Sequence, residues 1–337
     1  MAARGVLVTP LSGPLAGFGR AGANALALWA RRSGVRLEVI DAHPSAASAI
    51  RAAEASRPDV LFGPYGSGPA RAAATASTGV VWNHGGATDR LVRPAYPRVV
   101  NVASPASAYL AEVLETLAAD GLGAGSTVVM VHTDTGFGRE AAGGAAVTAA
   151  RLGLGQRSVS FRPGRVGDVL AQLPDGDVLV SAGSFDDDVV IARWSDERRW
   201  RAVGLVAAGV DELRHAIGDR VEGLYGPCQW FDDGTDDPAD GPTSGWFGRH
   251  YRDANGSEPP YPAAAAFAAG VVWQRCVAEA GTVESPAVYA ASQRLDTTTL
   301  FGRFRVDPID GGQTGHRVRV VQWRGGKRVL VDGGLRR

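Results

Sequence analysis

The residues best placed to do chemistry begin with a glycine motif, Gly17-Phe-Gly-Arg-Ala-Gly22, which is followed at a suitable distance by Asp41. This pattern is typical of dinucleotide-binding enzymes, in which the glycines follow a strand directly and the pyrophosphate lies at the start of the next helix. Here residues 10–16 separate the motif from the predicted first strand. That loop is too long for a tight strand-to-helix turn, so an NAD(P)-dependent enzyme is the least favoured alternative.

Other catalytic and metal-binding signatures do not occur in the sequence. There is no GxSxG or HExxH segment, and Lys327, which is the only lysine, does not belong to a P-loop. Cys228 and Cys276 stand far apart, and the 6 histidines are scattered without metal-ligand spacing. We therefore predict a protein that is not an enzyme, with no catalytic residues, no metal and no cofactor.

Glycine recurs together with hydroxyl or aromatic residues in the segments that follow predicted strands. Glycine lets backbone N–H groups approach a ligand closely, and a hydroxyl at a helix N-terminus suits a carboxylate or amide oxygen. Ser67, Thr88 and Ser184 could each act as a helix cap alone. Their recurrence favours a ligand-binding site. The segments are residues 10–19, 63–68, 83–88, 133–138 and 182–186.

The elements that must position these segments alternate between strand and helix. One β-α run extends from Val6 to Ala119, a glycine-rich break follows at 120–126, and a second run covers 127–206. Such repetition predicts an α/β protein with two Rossmann-like lobes, each a parallel sheet flanked by helices. The later helices, within 244–294, have no strands between them and are predicted to cover the first lobe.

Composition and charge exclude two classes of partner. The chain has 337 residues, of which 45% are apolar, and its 35 basic and 35 acidic residues give a net charge of zero. A neutral chain has no long-range attraction for nucleic acid or an anionic membrane. No apolar run approaches membrane-spanning length, so we also expect no direct membrane insertion.

Five segments together resemble the type I periplasmic binding proteins, in the branch that binds leucine, isoleucine, valine and related amino acids or amides for ABC importers. The resemblance runs from about Val6 to Trp323, with the segments in the same order as in that family. The segments are Pro10–Gly19, Gly63–Ser67, Gly86–Thr88, Asp134–Gly138 and Phe304–Asp307.

This resemblance implies a Venus-flytrap fold that closes on a small molecule in the cleft between two lobes joined by three hinge crossovers. The first lobe would comprise residues 1–121 plus 229–313, and the second 122–228 plus 314–337. Glycine and proline favour crossovers near 120–126, 225–230 and 309–315.

The resemblance also implies which residues bind the ligand. Ser67, Ala87 and Thr88 match the positions that hold a ligand carboxylate, and Phe137 and Phe185 match aromatic positions that are usually tyrosine in amino-acid binders. The full set of candidate ligand-binding residues is Ser12, Phe18, Ser67, Gly86, Ala87, Thr88, Phe137, Phe185, Asp186 and Ala208.

Ala208 stands where amino-acid binders carry an acidic residue for the ligand ammonium. A buried ammonium without a partner is costly. Asp186 or Asp211 could replace that acid, or either could be a solvated residue at a helix start. We therefore expect a ligand with a carboxylate or amide and an apolar or aromatic body, which Trp82 and Trp230 could contact.

Two roles remain open for such a binder. The resemblance implies an extracytoplasmic component that delivers its ligand to an ABC permease. Residues 1–4 lead directly into the predicted first strand, with no signal peptide or lipid-attachment cysteine in this sequence. A cytoplasmic amide or amino-acid sensor that acts on a regulatory protein is therefore the alternative.

Overall fold

The computed structural model describes residues 2–195, 200–234 and 236–331. Its contacts divide the chain into two compact units. Unit 1 comprises Met1–Pro105 and Asp232–Arg317, and unit 2 comprises Ala106–Phe231 and Val318–Arg337. The chain therefore passes from one unit to the other three times, after residues 105, 231 and 317.

The helices and strands are numbered in chain order. The first part of unit 1 contains β1 (Arg4–Thr9), α1 (Ala16–Ser33), β2 (Arg36–Asp41), α2 (Ala46–Ala55), β3 (Val60–Phe62), α3 (Ser67–Ala76), β4 (Val81–Asn83) and β5 (Val99–Asn101). Unit 2 continues with α4 (Ser107–Ala119), β6 (Thr127–Thr133), α5 (Gly136–Arg151), β7 (Gly155–Phe161), α6 (Gly167–Leu170), β8 (Val178–Ala182), α7 (Phe185–Ser195), β9 (Ala202–Leu205), α8 (Glu212–Ile217) and β10 (Tyr225–Cys228). The chain then forms α9 (Ser244–Asn255), α10 (Tyr261–Ala280), α11 (Ser285–Ser292), β11 (Thr297–Thr299) and β12 (Gly302–Phe304) in unit 1, and β13 (Arg319–Arg324) and β14 (Lys327–Leu330) in unit 2.

Unit 1 is built on a five-stranded sheet with the order β2-β1-β3-β4-β5, in which every pair is parallel. Helix α10 packs on α1, as predicted for the later helices. Gly270 makes this possible, because a Cβ at that position would lie 2.3 Å from the ring of Trp29. Trp29 in turn meets Phe62 and Trp273 edge-on, with ring centroids 5.7 and 5.9 Å apart.

Unit 2 is built on a seven-stranded sheet with the order β14-β13-β10-β9-β8-β6-β7. Strands β6 to β10 pair in parallel, and β13 and β14 form an antiparallel hairpin at one edge. Alternate residues of β6 belong to different cores: Val128 and Met130 to one, Val129 and Val131 to the other. The sheet is therefore buried on both faces, as a parallel sheet flanked by helices requires.

Helix α4 belongs to unit 2, whereas the predicted first lobe extended to residue 121. Leu110, Val113 and Leu114 of α4 are buried in the same core as Val128 and Val180. The glycine-rich segment that suggested a crossover is a turn inside unit 2, where Gly125 donates to Gly153 O at 2.9 Å. Residues 225–228 likewise form a strand of the second sheet, so the second passage comes a few residues later than predicted.

Candidate functional site

The segments that follow β3 and β4 in unit 1 form one tightly joined surface. Gly66 N donates to Gly85 O at 2.9 Å. A Cβ at Gly86 would lie 2.3 Å from Ala70 Cβ, so only glycine allows this approach to α3. The contact holds Ala87 beside the start of α3, where Ser67 is the first helical residue.

The buried amide of Asn83 fixes the turn that carries these residues. Its Nδ2 donates to Gly86 O at 2.7 Å and to Asn101 Oδ1 at 2.8 Å, and its Oδ1 accepts from Gly86 N at 2.8 Å. Sequence reasoning missed Asn83. An asparagine that ends a buried strand just before a glycine pair is the signal that could have identified it.

The two candidate hydroxyls of this surface differ in their surroundings. Ser67 is half-buried and follows the N-cap residue Gly66, and it makes no capping hydrogen bond, so the cap interpretation is wrong for Ser67. Thr88 is 9% exposed, and its Oγ1 accepts from Arg90 N at 3.4 Å. Thr88 also lines a cavity of about 230 Å³ together with Gln313.

The glycine motif near the N-terminus lies inside a helix and does not form a dinucleotide-binding turn. Helix α1 begins at Ala16, before the motif, and a Cβ at Gly19 would lie 1.8 Å from Pro10 O. The motif therefore brings the preceding loop against the helix. Asp41 is also occupied, since Ser12 Oγ donates to its carboxylate at 2.6 Å and Leu11 N at 2.9 Å.

The exposed Ser12 hydroxyl thus anchors its own loop. Its hydrogen bond, reinforced by the backbone N–H of His43, lowers the pKa of Asp41 to about 2. Beside this loop, Phe18 stacks on Tyr65 with ring centroids 5.0 Å apart. The Tyr65 hydroxyl lies 2.5 Å from that of Tyr261, a partner from the start of α10 that sequence reasoning did not identify.

His84 follows β4 and is 1% exposed. It packs beside Gly22 of α1 and near Ala266 of α10. Burial lowers the pKa of this imidazole to about 4, although the backbone of Gly63 offsets part of the effect. His84 is therefore a neutral core residue at pH 7.

In unit 2, Phe137 lies in the first turn of α5, where Thr135 caps the helix by accepting from Gly138 N at 3.2 Å. Its half-buried ring meets Tyr109 of α4 edge-on, with centroids 5.3 Å apart. Gln229 Nε2 donates to the Tyr109 hydroxyl at 3.0 Å. These aromatic and amide groups come from three separate segments of unit 2.

The segment after β8 carries Phe185 and three consecutive aspartates. Phe185 is half-buried against the core of unit 2, and Asp186 is exposed. Asp187 is buried and accepts from Ser184 Oγ at 2.6 Å and from Gly164 N at 3.0 Å. Ser184 accepts in return from Asp187 N at 3.2 Å, so its hydroxyl serves the start of α7.

Asp188, the third of these aspartates, lies next to the segment where an acid was expected. Its carboxylate accepts from Ala207 N at 2.9 Å, Ser181 Oγ at 2.7 Å and Gly183 N at 3.2 Å. Burial raises its pKa to about 7 despite these hydrogen bonds. Ala208 is fully buried, and its carbonyl accepts from Trp323 Nε1 at 2.9 Å.

Trp82 lies away from the ligand-binding loops proposed for it. It is 2% exposed and lines a cavity with Asp59 and Val60, at the amino end of β3. The suggestion that Trp82 contacts a ligand at the carboxyl ends of the strands is therefore wrong. Trp230 is half-buried in unit 2.

Within residues 2–195, 200–234 and 236–331, no helix combines the length and hydrophobicity needed to cross a bilayer. In the same ranges, no group of three or more His, Cys, Asp or Glu side chains is arranged to hold a metal ion.

Solved structures share the fold over nearly the whole chain. A leucine-binding protein from Thermotoga maritima has a TM-score of 0.81 at 17% identity, with 98% of this chain and 97% of that chain covered. An ABC-transporter solute-binding protein from R. palustris, in complex with benzoate, has a TM-score of 0.79 at 16% identity, with 98% and 96% covered. A branched-chain amino acid substrate-binding protein from Streptococcus pneumoniae, in complex with isoleucine, has 0.80 at 17%, with 98% and 100% covered.

No curated protein matches the sequence closely enough to be reported. A family model described as periplasmic binding protein matches residues 6–327, which is almost the entire described chain. The two α/β units and the three passages between them agree with that match. The chain belongs to the periplasmic binding protein family.

Proposed function

We propose that this protein binds a small molecule bearing a carboxylate or an amide and delivers it to an ABC importer. The ligand-binding residues in this proposal are those predicted from the sequence, with Ser67, Ala87 and Thr88 nearest the polar group. Phe137 and Phe185 contact its apolar body. The protein captures this molecule without chemical change.

The observation that carries the proposal is the uncharged surface made by the segments after β3 and β4. Asn83, Gly85 and Gly86 fix its shape through hydrogen bonds and close packing. The first N–H groups of α3 have no partner within the helix, and the helix dipole favours a negative group at this end. A carboxylate or amide oxygen suits such neutral donors.

The nature of the ligand body follows from the aromatic rings. Phe18 and Tyr65 stack in unit 1, and Phe137 meets Tyr109 in unit 2. Phenyl groups at positions 137 and 185 offer contact area without the hydroxyls that tyrosines would add. The benzoate complex of the R. palustris relative supports an aromatic carboxylate among the ligands of this fold.

A free ammonium group would find little compensation at position 208. Ala208 has no polar side chain, and the carboxylate of Asp188 already accepts three hydrogen bonds inside unit 2. Asp186 is the exposed acid of that segment. We therefore favour monocarboxylates and amides over zwitterionic amino acids.

A thermal-shift screen tests the proposed ligand class. Benzoate, phenylacetate, benzamide, 4-methylpentanoate, leucine and isoleucine would each be added to the full chain. A ligand that binds only the folded state raises the midpoint of unfolding by mass action. We expect the carboxylates or amides to raise it most. A rise with leucine and isoleucine alone would contradict the proposed ligand class.

The importer role implies an extracytoplasmic location and an ABC permease as partner. Cell fractionation followed by detection of the native protein tests this part of the proposal. Recovery outside the cytoplasm is the expected result. Recovery in the cytoplasm would favour the sensor alternative, in which the same ligand acts through a regulatory protein.

A further inference from the structure

A basic cavity of about 390 Å³ opens on unit 2, beside the segment that carries Ala208. Helix α8 and the β13–β14 hairpin supply most of its lining, and Phe231 supplies an aromatic wall. Its volume falls within the range of small-molecule sites, roughly 300 to 1,000 Å³. The lining consists of Asp211, Arg214, His215, Phe231, Trp323, Gly326, Lys327 and Arg328.

One cation of this lining is already neutralised. Arg328 is 18% exposed and forms a double hydrogen bond with the Asp211 carboxylate, at 2.7 and 2.6 Å. Its remaining nitrogen donates to Gly209 O at 2.6 Å, and its guanidinium lies 5.7 Å from the centre of the Phe231 ring. The Asp211–Arg328 pair is therefore a fixed wall of the cavity.

Two other cationic side chains of the lining, Arg214 and Lys327, have no acidic partner among the described residues and could bind an anion. Arg214 and Lys327 are exposed, and neither forms a salt bridge or a side-chain hydrogen bond within the described residues. A Cβ at Gly326 would lie 2.7 Å from Arg214 Nη2, so the guanidinium rests against the turn that precedes Lys327. Asp211 is the sole carboxylate among the lining residues.

This charge distribution is unusual for the chain as a whole. Lys327 is the only lysine of a neutral protein, and it lies in the same cavity as two arginines and a histidine. Guanidinium groups bind phosphoryl and carboxylate oxygens through paired hydrogen bonds, and an ammonium adds a mobile point charge. An open cavity with two unpaired cations therefore favours an anion that carries at least two charges.

We propose that this cavity is a second binding site, which holds a small polyanion through Arg214 and Lys327, with the Asp211–Arg328 pair and Phe231 as its walls. Its cationic side chains differ in chemistry from the neutral donors proposed for the transported ligand. Phosphoryl and polycarboxylate compounds share the required chemistry. The second passage of the chain between the units begins immediately after Phe231, so bound anion would contact a residue next to that passage.

Calorimetric titration of the full chain with pyrophosphate and with citrate tests the proposal, with acetate as a singly charged reference. Binding of pyrophosphate alone would identify a phosphoryl ligand, binding of citrate alone a polycarboxylate, and binding of both would support the general class. Affinity should fall at high salt, because the attraction is electrostatic. Failure of both polyanions to bind more tightly than acetate would overturn the proposal.

Variants locate the site. Lys327→Gln and Arg214→Gln should each weaken binding of the polyanion by about tenfold, as expected for loss of a charge-assisted contact. Arg162→Gln removes an exposed arginine elsewhere in unit 2 and should leave the affinity within about twofold of wild type. Equal losses in all three variants, or none in the first two, would overturn the assignment to this cavity.

Discussion

The segment after β4 in unit 1 and the segment after β8 in unit 2 are held in place by different chemistry. In unit 1 the amide of Asn83 closes the turn, and Gly86 packs against Ala70. In unit 2 the carboxylates of Asp187 and Asp188 accept the hydrogen bonds that close the equivalent turn. Both turns follow a parallel strand and precede ligand-binding candidates.

The difference shows how one architecture can present two kinds of surface. The amide in unit 1 satisfies its own hydrogen bonds and adds no charge, so the neighbouring N–H groups stay available for an anionic or amide oxygen. The carboxylates of Asp187 and Asp188 in unit 2 are occupied inside the unit, which leaves the half-buried ring of Phe185 and the exposed carboxylate of Asp186. The two units also bury different titratable groups, a neutral imidazole at His84 in unit 1 and a carboxyl group at Asp188 in unit 2. Acid should therefore change the contributions of these two groups to stability in opposite directions.

Substitution of Asp188 should give the largest change in how the unfolding free energy depends on pH. Its folded pKa of about 7 exceeds the unfolded value of 3.8, so the folded state binds more protons between these values and unfolding free energy falls as pH rises through that window. In the wild type, Asp188 should lower the unfolding free energy by about 3 kcal/mol between about pH 5 and pH 8, and Asp188→Asn should abolish this decrease. Denaturant unfolding at both pH values measures the difference.

Asp186→Asn, which removes an exposed carboxylate from the same turn, controls for the change in total charge. If Asp188→Asn keeps the wild-type dependence of unfolding free energy on pH, burial does not raise the pKa of Asp188 in the folded protein.

His84 in unit 1 should act in the opposite sense. Its folded pKa of about 4 lies below the unfolded value of 6.5, so stability is complete above the unfolded value and is lost as pH falls toward 4. In the wild type, His84 should lower the unfolding free energy by about 2 kcal/mol between about pH 8 and pH 5, and His84→Gln should abolish this decrease. His250→Gln removes an exposed histidine as the control. Identical acid sensitivity in wild type and His84→Gln would contradict a buried neutral ring.

Gly86→Ala should damage the unit 1 surface directly. The new Cβ would lie 2.3 Å from Ala70 Cβ, and such overpacking destabilises by about 2 kcal/mol while displacing Ala87 and Thr88. Ligand affinity, measured by calorimetry with the best ligand of the screen, should fall at least about tenfold. Adding Ala70→Gly should restore part of it.

Gly143→Ala is the matched control for this change, since a Cβ at that exposed helical position meets nothing within 4 Å. An unchanged ligand affinity in Gly86→Ala would show that this turn does not shape the binding surface.

Thr88→Val should have the smallest effect. The substitution keeps the shape of the side chain and removes its hydroxyl, so one neutral hydrogen bond worth about 1 kcal/mol is lost and affinity falls about fivefold. Thr88→Ser restores the hydroxyl and should recover most of the binding. If valine and serine variants bind alike, the hydroxyl does not contact the ligand.

The parts of this molecule that follow from local sequence patterns were predictable. Alternating strand and helix runs gave the α/β architecture, and the uninterrupted helices after residue 244 indicated that they cover unit 1. Contacts between distant residues were not predictable in this way. The Tyr65–Tyr261 pair joins residues 196 positions apart, and the packing of α4 in unit 2 depends on which core offers space for its apolar face.

The aspartate run at 186–188 shows the same limit within a few residues. The three aspartates are chemically identical in the sequence. Their positions around the axis of α7 leave Asp186 exposed and bury Asp187 and Asp188. Only the structure distinguishes the acid that could meet a ligand from the two that hold the turn together.

We propose that the binding surface accepts a carboxylate or amide and, within the described residues, offers no buried partner for an ammonium group. Calorimetric titration with pairs that differ only in that group tests it most directly: 4-methylpentanoate against leucine, and 3-phenylpropanoate against phenylalanine. We predict that the acid without the amino group binds at least about tenfold more tightly in whichever pair binds. Tighter binding of leucine or phenylalanine would contradict the claim.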